Sequence, residues 1–124
     1  MVTIQAENMS LSGYSVDGAD PDWIKVMQSQ GTAISSFSGA SDTYTVVVGA
    51  VAENDGQSTL ELWIGGSLVG SFTYPLASAS REPFTHNFGT SAISPGDEIR
   101  IVGYRDDSGS GTAHARVDYI TFTP

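Results

Sequence analysis

Ala115-Arg116-Val117-Asp118-Tyr119-Ile120-Thr121-Phe122, the closing stretch of the chain, alternates apolar and polar residues as a half-buried strand does. Val2-Thr3-Ile4-Gln5-Ala6-Glu7-Asn8 reads the same way at the other end. Each carries a carboxylate, Asp118 or Glu7, on a phase where such a strand presents an apolar residue or faces water. If the two strands run side by side these carboxylates converge, which suggests a shared cation.

Between these ends, 14 Gly, 5 Pro and many Ser and Thr separate short alternating runs. That pattern predicts an all-β chain, a two-sheet antiparallel β-sandwich of jelly-roll type, with helix nearly absent. Strands are expected near 2–8, 12–17, 23–28, 31–38, 43–52, 59–65, 68–74, 84–89, 98–105 and 114–122. Gly65-Gly66 is a two-residue hairpin signal, because both central positions of that turn need positive φ. Ser94-Pro95-Gly96-Asp97 is a second turn, and Asp20-Pro21-Asp22 opens the strand that bears Trp23.

At 124 residues the chain is expected to form one domain, 1–124, able to bury a core without staples. The absence of cysteine excludes disulfides, thiolate metal sites and cysteine nucleophiles. A net charge of -9 would repel phosphate backbones and anionic lipid, so neither nucleic acid nor membrane is an expected partner. No apolar run reaches the roughly 18 residues of a membrane span. A module taken from a longer secreted chain is one expectation for such a sequence, and a short protein whose signal was removed is the other.

Calcium takes oxygen ligands from carboxylates, amides and backbone carbonyls, and an acidic chain is rich in them. On one strand Gln5 and Glu7 would share a face, and Asp118 would complete a structural site with carbonyls from Gln28-Ser29-Gln30-Gly31. The alternative is that Glu7 pairs with Arg116 or faces solvent. Two loops form a second candidate: Glu53-Asn54-Asp55-Gly56-Gln57 and Asp106-Asp107-Ser108-Gly109-Ser110-Gly111-Thr112. If they meet at a sandwich end, Glu53, Asp55, Asp106 and Asp107 could hold a second calcium with open positions for sugar hydroxyls. Solvated polar loops are the alternative.

A glycosidase would place two carboxylates roughly 5 to 10 Å apart in a cleft, and the same loops could supply them. A serine triad has only His86 and His114 to draw on, and neither sits in a nucleophile setting. His86 is expected at the surface or in strand pairing. Sugar rings stack on exposed aromatics, for which Tyr104 and Trp23 lead; Trp63 shares the phase of Glu61 and should face outward. Tyr14 and Tyr74 are the remaining candidates, with burial in the core as the alternative for all five.

Three segments carry a resemblance across nearly the whole chain. Ile4-Gln5-Ala6-Glu7-Asn8, the stretch from Gly31-Thr32-Ala33-Ile34 to Tyr44-Thr45-Val46-Val47-Val48, and Val117-Asp118-Tyr119-Ile120 resemble the opening, central and closing strands of the calcium-dependent β-sandwich carbohydrate-binding modules. That superfamily includes families 6, 35, 36 and 60. The resemblance implies a structural calcium on Gln5, Glu7 and Asp118, with Gln5 standing where relatives often have Glu. It also implies a non-catalytic module that binds a polysaccharide or oligosaccharide and targets an attached enzyme. Arg116 stands where relatives often have a sugar-binding Asn, which would favour a carboxylate or sulfate on the ligand. The expected carbohydrate contacts are therefore Tyr104, Asp106, Asp107, Arg116, Trp23, Glu53, Asn54 and Asp55. A secreted monomer within a multidomain enzyme is expected. A small glycan-degrading enzyme, or a structural or adhesive module stiffened by calcium, is the alternative.

Overall fold

A computed structural model describes residues 1–18 and 21–124. Eleven strands run in the order β1 (Val2–Gln5), β2 (Ser10–Ser12), β3 (Tyr14–Val16), β4 (Ile24–Val26), β5 (Gln30–Ser36), β6 (Asp42–Ala52), β7 (Thr59–Ile64), β8 (Ser67–Thr73), β9 (Glu82–Ile93), β10 (Glu98–Tyr104) and β11 (Arg116–Thr123). They form two antiparallel sheets. The first has the order β3-β4-β11-β6-β9, with β1 also on β11, and the second β2-β5-β10-β7-β8. The sandwich expected from the alternation is therefore present.

Alternation decides which side chains fill it. Along β7, Leu60, Leu62 and Ile64 point inward while Thr59, Glu61 and Trp63 stay half-exposed. Val46 and Val48 from β6, Ile99 and Ile101 from β10, and Ile120 and Phe122 from β11 meet them between the sheets. Phe37, Tyr44 and Phe122 pack edge to face, with centroids 5.1 Å apart for Phe37–Tyr44 and for Phe37–Phe122. Tyr14 and Tyr74 are buried, which settles them as core residues.

The expected 2–8 strand is the main departure. It stops at Gln5, Ala6–Asn8 forms a single 3₁₀ turn, and Ser10–Ser12 joins the other sheet. Gln5 and Glu7 thus do not share a strand face. The expected strand 12–17 is also divided, because Gly13 takes φ of +71° between β2 and β3. β9 runs longer than expected, to Ile93. Asp20, expected to help open the Trp23 strand, lies outside the described residues.

Gly13 and Gly31 mark where backbones press together. A Cβ on Gly31 would stand 2.8 Å from the Gly13 carbonyl oxygen and 2.7 Å from the Tyr14 ring. The backbone cannot swing away as a side chain could, so Gly31→Ala should lower stability by about 1–3 kcal/mol in urea unfolding.

One sandwich edge is closed by aromatics from β8 and β9. His86 stacks on Phe72 with centroids 4.0 Å apart, and Phe88 meets His86 edge-on at 4.7 Å. Burial there lowers the imidazole pKa below 6.5. The unfolded chain consequently takes up this proton first as pH falls. Stability should be full above the unfolded value and decline as pH drops through it toward the folded one. Denaturant midpoints between about pH 5 and 7.5 test this, and His86→Phe should flatten that part of the profile.

Candidate functional site

Residues 114–116 enter β11 under unusual constraint. Ala115 has φ of +44°, the left-handed region that alanine avoids. Hydrogen bonds hold it there. The Ser58 hydroxyl accepts from Ala115 N at 2.9 Å, the Tyr14 hydroxyl donates to Ala115 O at 2.6 Å, and the Tyr74 hydroxyl donates to Arg116 O at 2.9 Å. Burial raises the pKa of both phenols, so they stay protonated as donors.

Arg116 is only 3% exposed. Its Nη1 pairs with Asp17 Oδ2, and its Nε lies 3.3 Å from Glu53 Oε2. The latter is a charge contact rather than an aligned hydrogen bond. Glu53, 5% exposed, also accepts from His114 N at 2.6 Å. Arg116 and Glu53, expected to face a ligand, are instead buried in contact with each other inside the fold. The alternative pairing of Arg116 with Glu7 is likewise replaced by Asp17 and Glu53.

The two acidic loops do meet. Asp106 N donates to Ala113 O and Ala113 N returns a bond to Asp106 O, at 3.1 and 2.8 Å. Asp106 Oδ2 accepts from Gln57 N at 2.7 Å, and Gly111 N donates to Asp55 O at 3.2 Å. Gly56 fits between the loops because an added Cβ would come within 3.1 Å of Asp106 Oδ2. Bonds from the Ser108 hydroxyl, Gln57 N and Ser108 N hold the Asp106 carboxyl below its usual range. Asp55 Oδ1 is buried with no hydrogen-bond partner. Asn54 is exposed, and Asp107 turns to Arg105, 3.1 Å away. The loop pair therefore brings Asp55 and Asp106 onto adjoining loops, with the Asp106 carboxylate already accepting three hydrogen bonds, Glu53 buried against Arg116 and Asp107 paired with Arg105.

Tyr104 and Trp63 stand on the outer face of the second sheet. Glu61 Oε1 accepts from both, 3.1 Å from Tyr104 Oη and 3.1 Å from Trp63 Nε1. Partial burial and the Glu61 carboxylate push the Tyr104 hydroxyl up. Trp23 is half-buried, its Nε1 3.3 Å from Asp17 Oδ2.

Asp118 sits where the β11–β6 register slips, between Val117 and Tyr119. A bulge residue leaves the ladder and re-aims its side chain. Burial, then the charges of Glu7 and Asp22, raise the Asp118 pKa. Asp22 is a residue the sequence reading missed; it had been read only as part of a turn. Glu7 Oε1 is buried without a partner. Gln5 is exposed, and the Ser29 carbonyl accepts from Arg105 N at 3.0 Å. Among the described residues, no three His, Cys, Asp or Glu side chains form a metal cluster by themselves. Calcium sites draw on amide and carbonyl oxygens as well, and like-charged carboxylates beside an unpartnered buried oxygen are donor chemistry that suits such a cation.

No family model matches the sequence, and no curated protein does. Solved structures do match. A family 36 carbohydrate-binding module in complex with calcium and xylotriose is 25% identical, with a TM-score of 0.71 over 99% of this chain and all (100%) of that one. The fold is that of the calcium-dependent carbohydrate-binding modules. The CBM36-1 domain of a multidomain xylanase from the hindgut metagenome of Trinervitermes trinervoides gives a TM-score of 0.74 at 18% identity, over 99% of this chain and 96% of that one. A β-(1,4)-mannanase of Podospora anserina with a family 35 module matches 99% of this chain with 27% of its own, at 16% identity and a TM-score of 0.67. Binding modules of this fold thus occur inside larger glycan-degrading enzymes.

The like-charge influence of Glu7 and Asp22 on Asp118 makes a direct prediction. In chelator, Asp118→Asn should melt at or above wild type, because one of the repelling charges is gone. In calcium the variant should lose most of the rise in melting temperature that calcium gives wild type. Parallel thermal melts check both signs.

Proposed function

We propose that this chain is a non-catalytic, calcium-dependent carbohydrate-binding module that holds an attached enzyme on a polysaccharide. The observation that carries the proposal is the zipped loop pair. It brings Asp55 and Asp106 together at one end of a fold shared with a module bound to calcium and xylotriose. A calcium ion supplies oxygen coordination that vicinal sugar hydroxyls can complete. The chain's own part is to keep the Asp106 carboxylate ionised through three hydrogen bonds and to hold Asp55 against the facing loop. The Trp63–Glu61–Tyr104 group adds two ring faces for sugar C–H stacking, both fixed by one carboxylate oxygen. On this reading Gln5, Glu7 and Asp118, joined by Asp22, hold the structural calcium.

The preferred ligand is a neutral glycan. Arg116, the residue that would have drawn a carboxylate or sulfate, is buried in an ion pair, and the net charge is -9. We place this module, 1–124, as one secreted, monomeric domain of a multidomain enzyme. Glu53 is closed off by Arg116 and His114, which removes one carboxylate from a glycosidase reading.

Affinity electrophoresis against xylan, glucan and mannan, with alginate and pectin as acidic controls, decides the matter. Retention on a neutral polysaccharide is expected in calcium, lost in chelator and unaccompanied by reducing-sugar release. Asp106→Asn should weaken retention at least about tenfold, some 1.4 kcal/mol. Release of reducing ends, or retention confined to the acidic glycans, would sink the proposal.

A further inference from the structure

At one end of the sandwich two carboxylates, Asp17 and Glu53, reach a single guanidinium directly, and a third segment reaches it through Glu53. Trp23 is tied to it through Asp17, which accepts from Trp23 Nε1 at 3.3 Å; Asp17 N also donates to Trp23 O at 3.0 Å. The 53–57 loop reaches it through Glu53, whose Oε2 is 3.3 Å from Arg116 Nε. The 106–114 loop joins through His114, which donates its N–H to Glu53 at 2.6 Å and faces it again with Nδ1 at 3.5 Å. Val26 N, on the strand after Trp23, closes the circuit by donating to His114 O at 2.8 Å.

We infer that Arg116 is a positioning residue: one buried cation that couples the position of Trp23, through Asp17, to that of the Asp55–Asp106 loop pair, through Glu53. For its effect on ligand binding this rests on the carbohydrate-binding reading above. The guanidinium suits the task because its donors form a rigid fork, which can address carboxylates arriving from two directions. A lysine ammonium is a compact point charge on a flexible stem and cannot hold both in fixed geometry. Both carboxylates are almost wholly buried, Asp17 at 2% and Glu53 at 5% exposure, so water cannot substitute for the missing donor. A displacement of either carboxylate is therefore passed through Arg116 to the other.

The Trp23 indole N–H reports this coupling, and the Trp63 indole N–H serves as an internal control, since it bonds Glu61 on the far sheet. In ¹H–¹⁵N spectra assigned with Trp23→Phe, Arg116→Lys should shift the Trp23 indole resonance and speed its hydrogen exchange at least tenfold. The Trp63 resonance should hold still. Glu53→Gln offers a second route if Arg116→Lys does not fold: it leaves Asp17 and Trp23 untouched, yet should move the Trp23 resonance through Arg116. A Trp23 signal unchanged in Glu53→Gln, or unchanged in a folded Arg116→Lys that merely melts lower, overturns the inference. The variants are also run against the polysaccharide that retains wild type in the panel above, where a several-fold loss is expected. A variant with a displaced Trp23 signal but wild-type retention overturns the positioning role. Failure of wild type to bind any glycan sinks the carbohydrate reading alone, and the indole measurements still decide the coupling.

Discussion

A cation buried between two carboxylates from distant parts of the chain sets the terms for this end of the molecule. Arg116 meets Asp17 across 99 positions of sequence and Glu53 from the loop after β6. Desolvating such charges is expensive, and removing one partner from a buried pair costs about 3–5 kcal/mol because the other is stranded. The network can persist only if every member is delivered to place by backbone that is itself fixed. That explains the density of hydrogen bonds on the neighbouring peptides. The left-handed Ala115 costs on the order of 1–2 kcal/mol, and side chains from β3, the Ser58 loop and the start of the Tyr74 loop hold it. The kink turns the chain so that Arg116 points inward while His114 stays half-exposed beside Glu53.

The same strand carries the second electrostatic tension, of opposite character. At its start, one guanidinium attracts two carboxylates of opposite charge. Two residues later, at the bulge, Asp118 faces Glu7 and Asp22 with like charge, and Glu7 keeps a buried oxygen unsatisfied. The first arrangement is held by attraction between opposite charges, although Arg116 Nε too is buried without an aligned hydrogen bond. The second is stable only to the extent that protonation or a cation relieves it. β11 therefore separates an attractive network that links Asp17 to Glu53 from a repulsive one near the terminus, where β1 pairs with its later half from Gln5↔Tyr119 to Val2↔Phe122.

The fold was legible because its signal is periodic and local. Leu60-Glu61-Leu62-Trp63-Ile64 alternates without interruption, and the Gly65-Gly66 turn that follows has φ of +59° and +83° as such a hairpin needs. Legibility failed where a short polar segment left the strand without a breaker. Nothing in Ala6-Glu7-Asn8 marks a 3₁₀ turn, since the alternation of Ile4, Ala6 and Glu7 is shared by both conformations. The convergence of the acidic loops could be anticipated from the habit of sandwich loops to gather at sheet ends. Which carboxylate would stay available could not. Glu53 and Asp55 are two residues apart and chemically alike, and only the tertiary position of Arg116 divides them. Asp22 was hidden for a related reason, because a proline turn accounts for an aspartate without any partner.

The disposal of the basic residues also bears on the ligand. The chain has five Lys and Arg against 14 Asp and Glu. Arg100 pairs with Glu98, Arg105 with Asp107 and Arg116 with Asp17 and Glu53, so three of the five are answered within the fold. The exposed pairs contribute little to stability, but they cancel what positive field the surface had. In the absence of a bound cation, a polyanion approaching the loop end would meet the carboxylates of Asp55 and Asp106, with Asp107 already paired to Arg105. A neutral chain has no such barrier: its hydroxyls can supply oxygens where the carboxylates gather and its C–H faces can lie on aromatic rings. The burial of Arg116 thus links Asp17 to Glu53 and at the same time withdraws a positive charge from the surface.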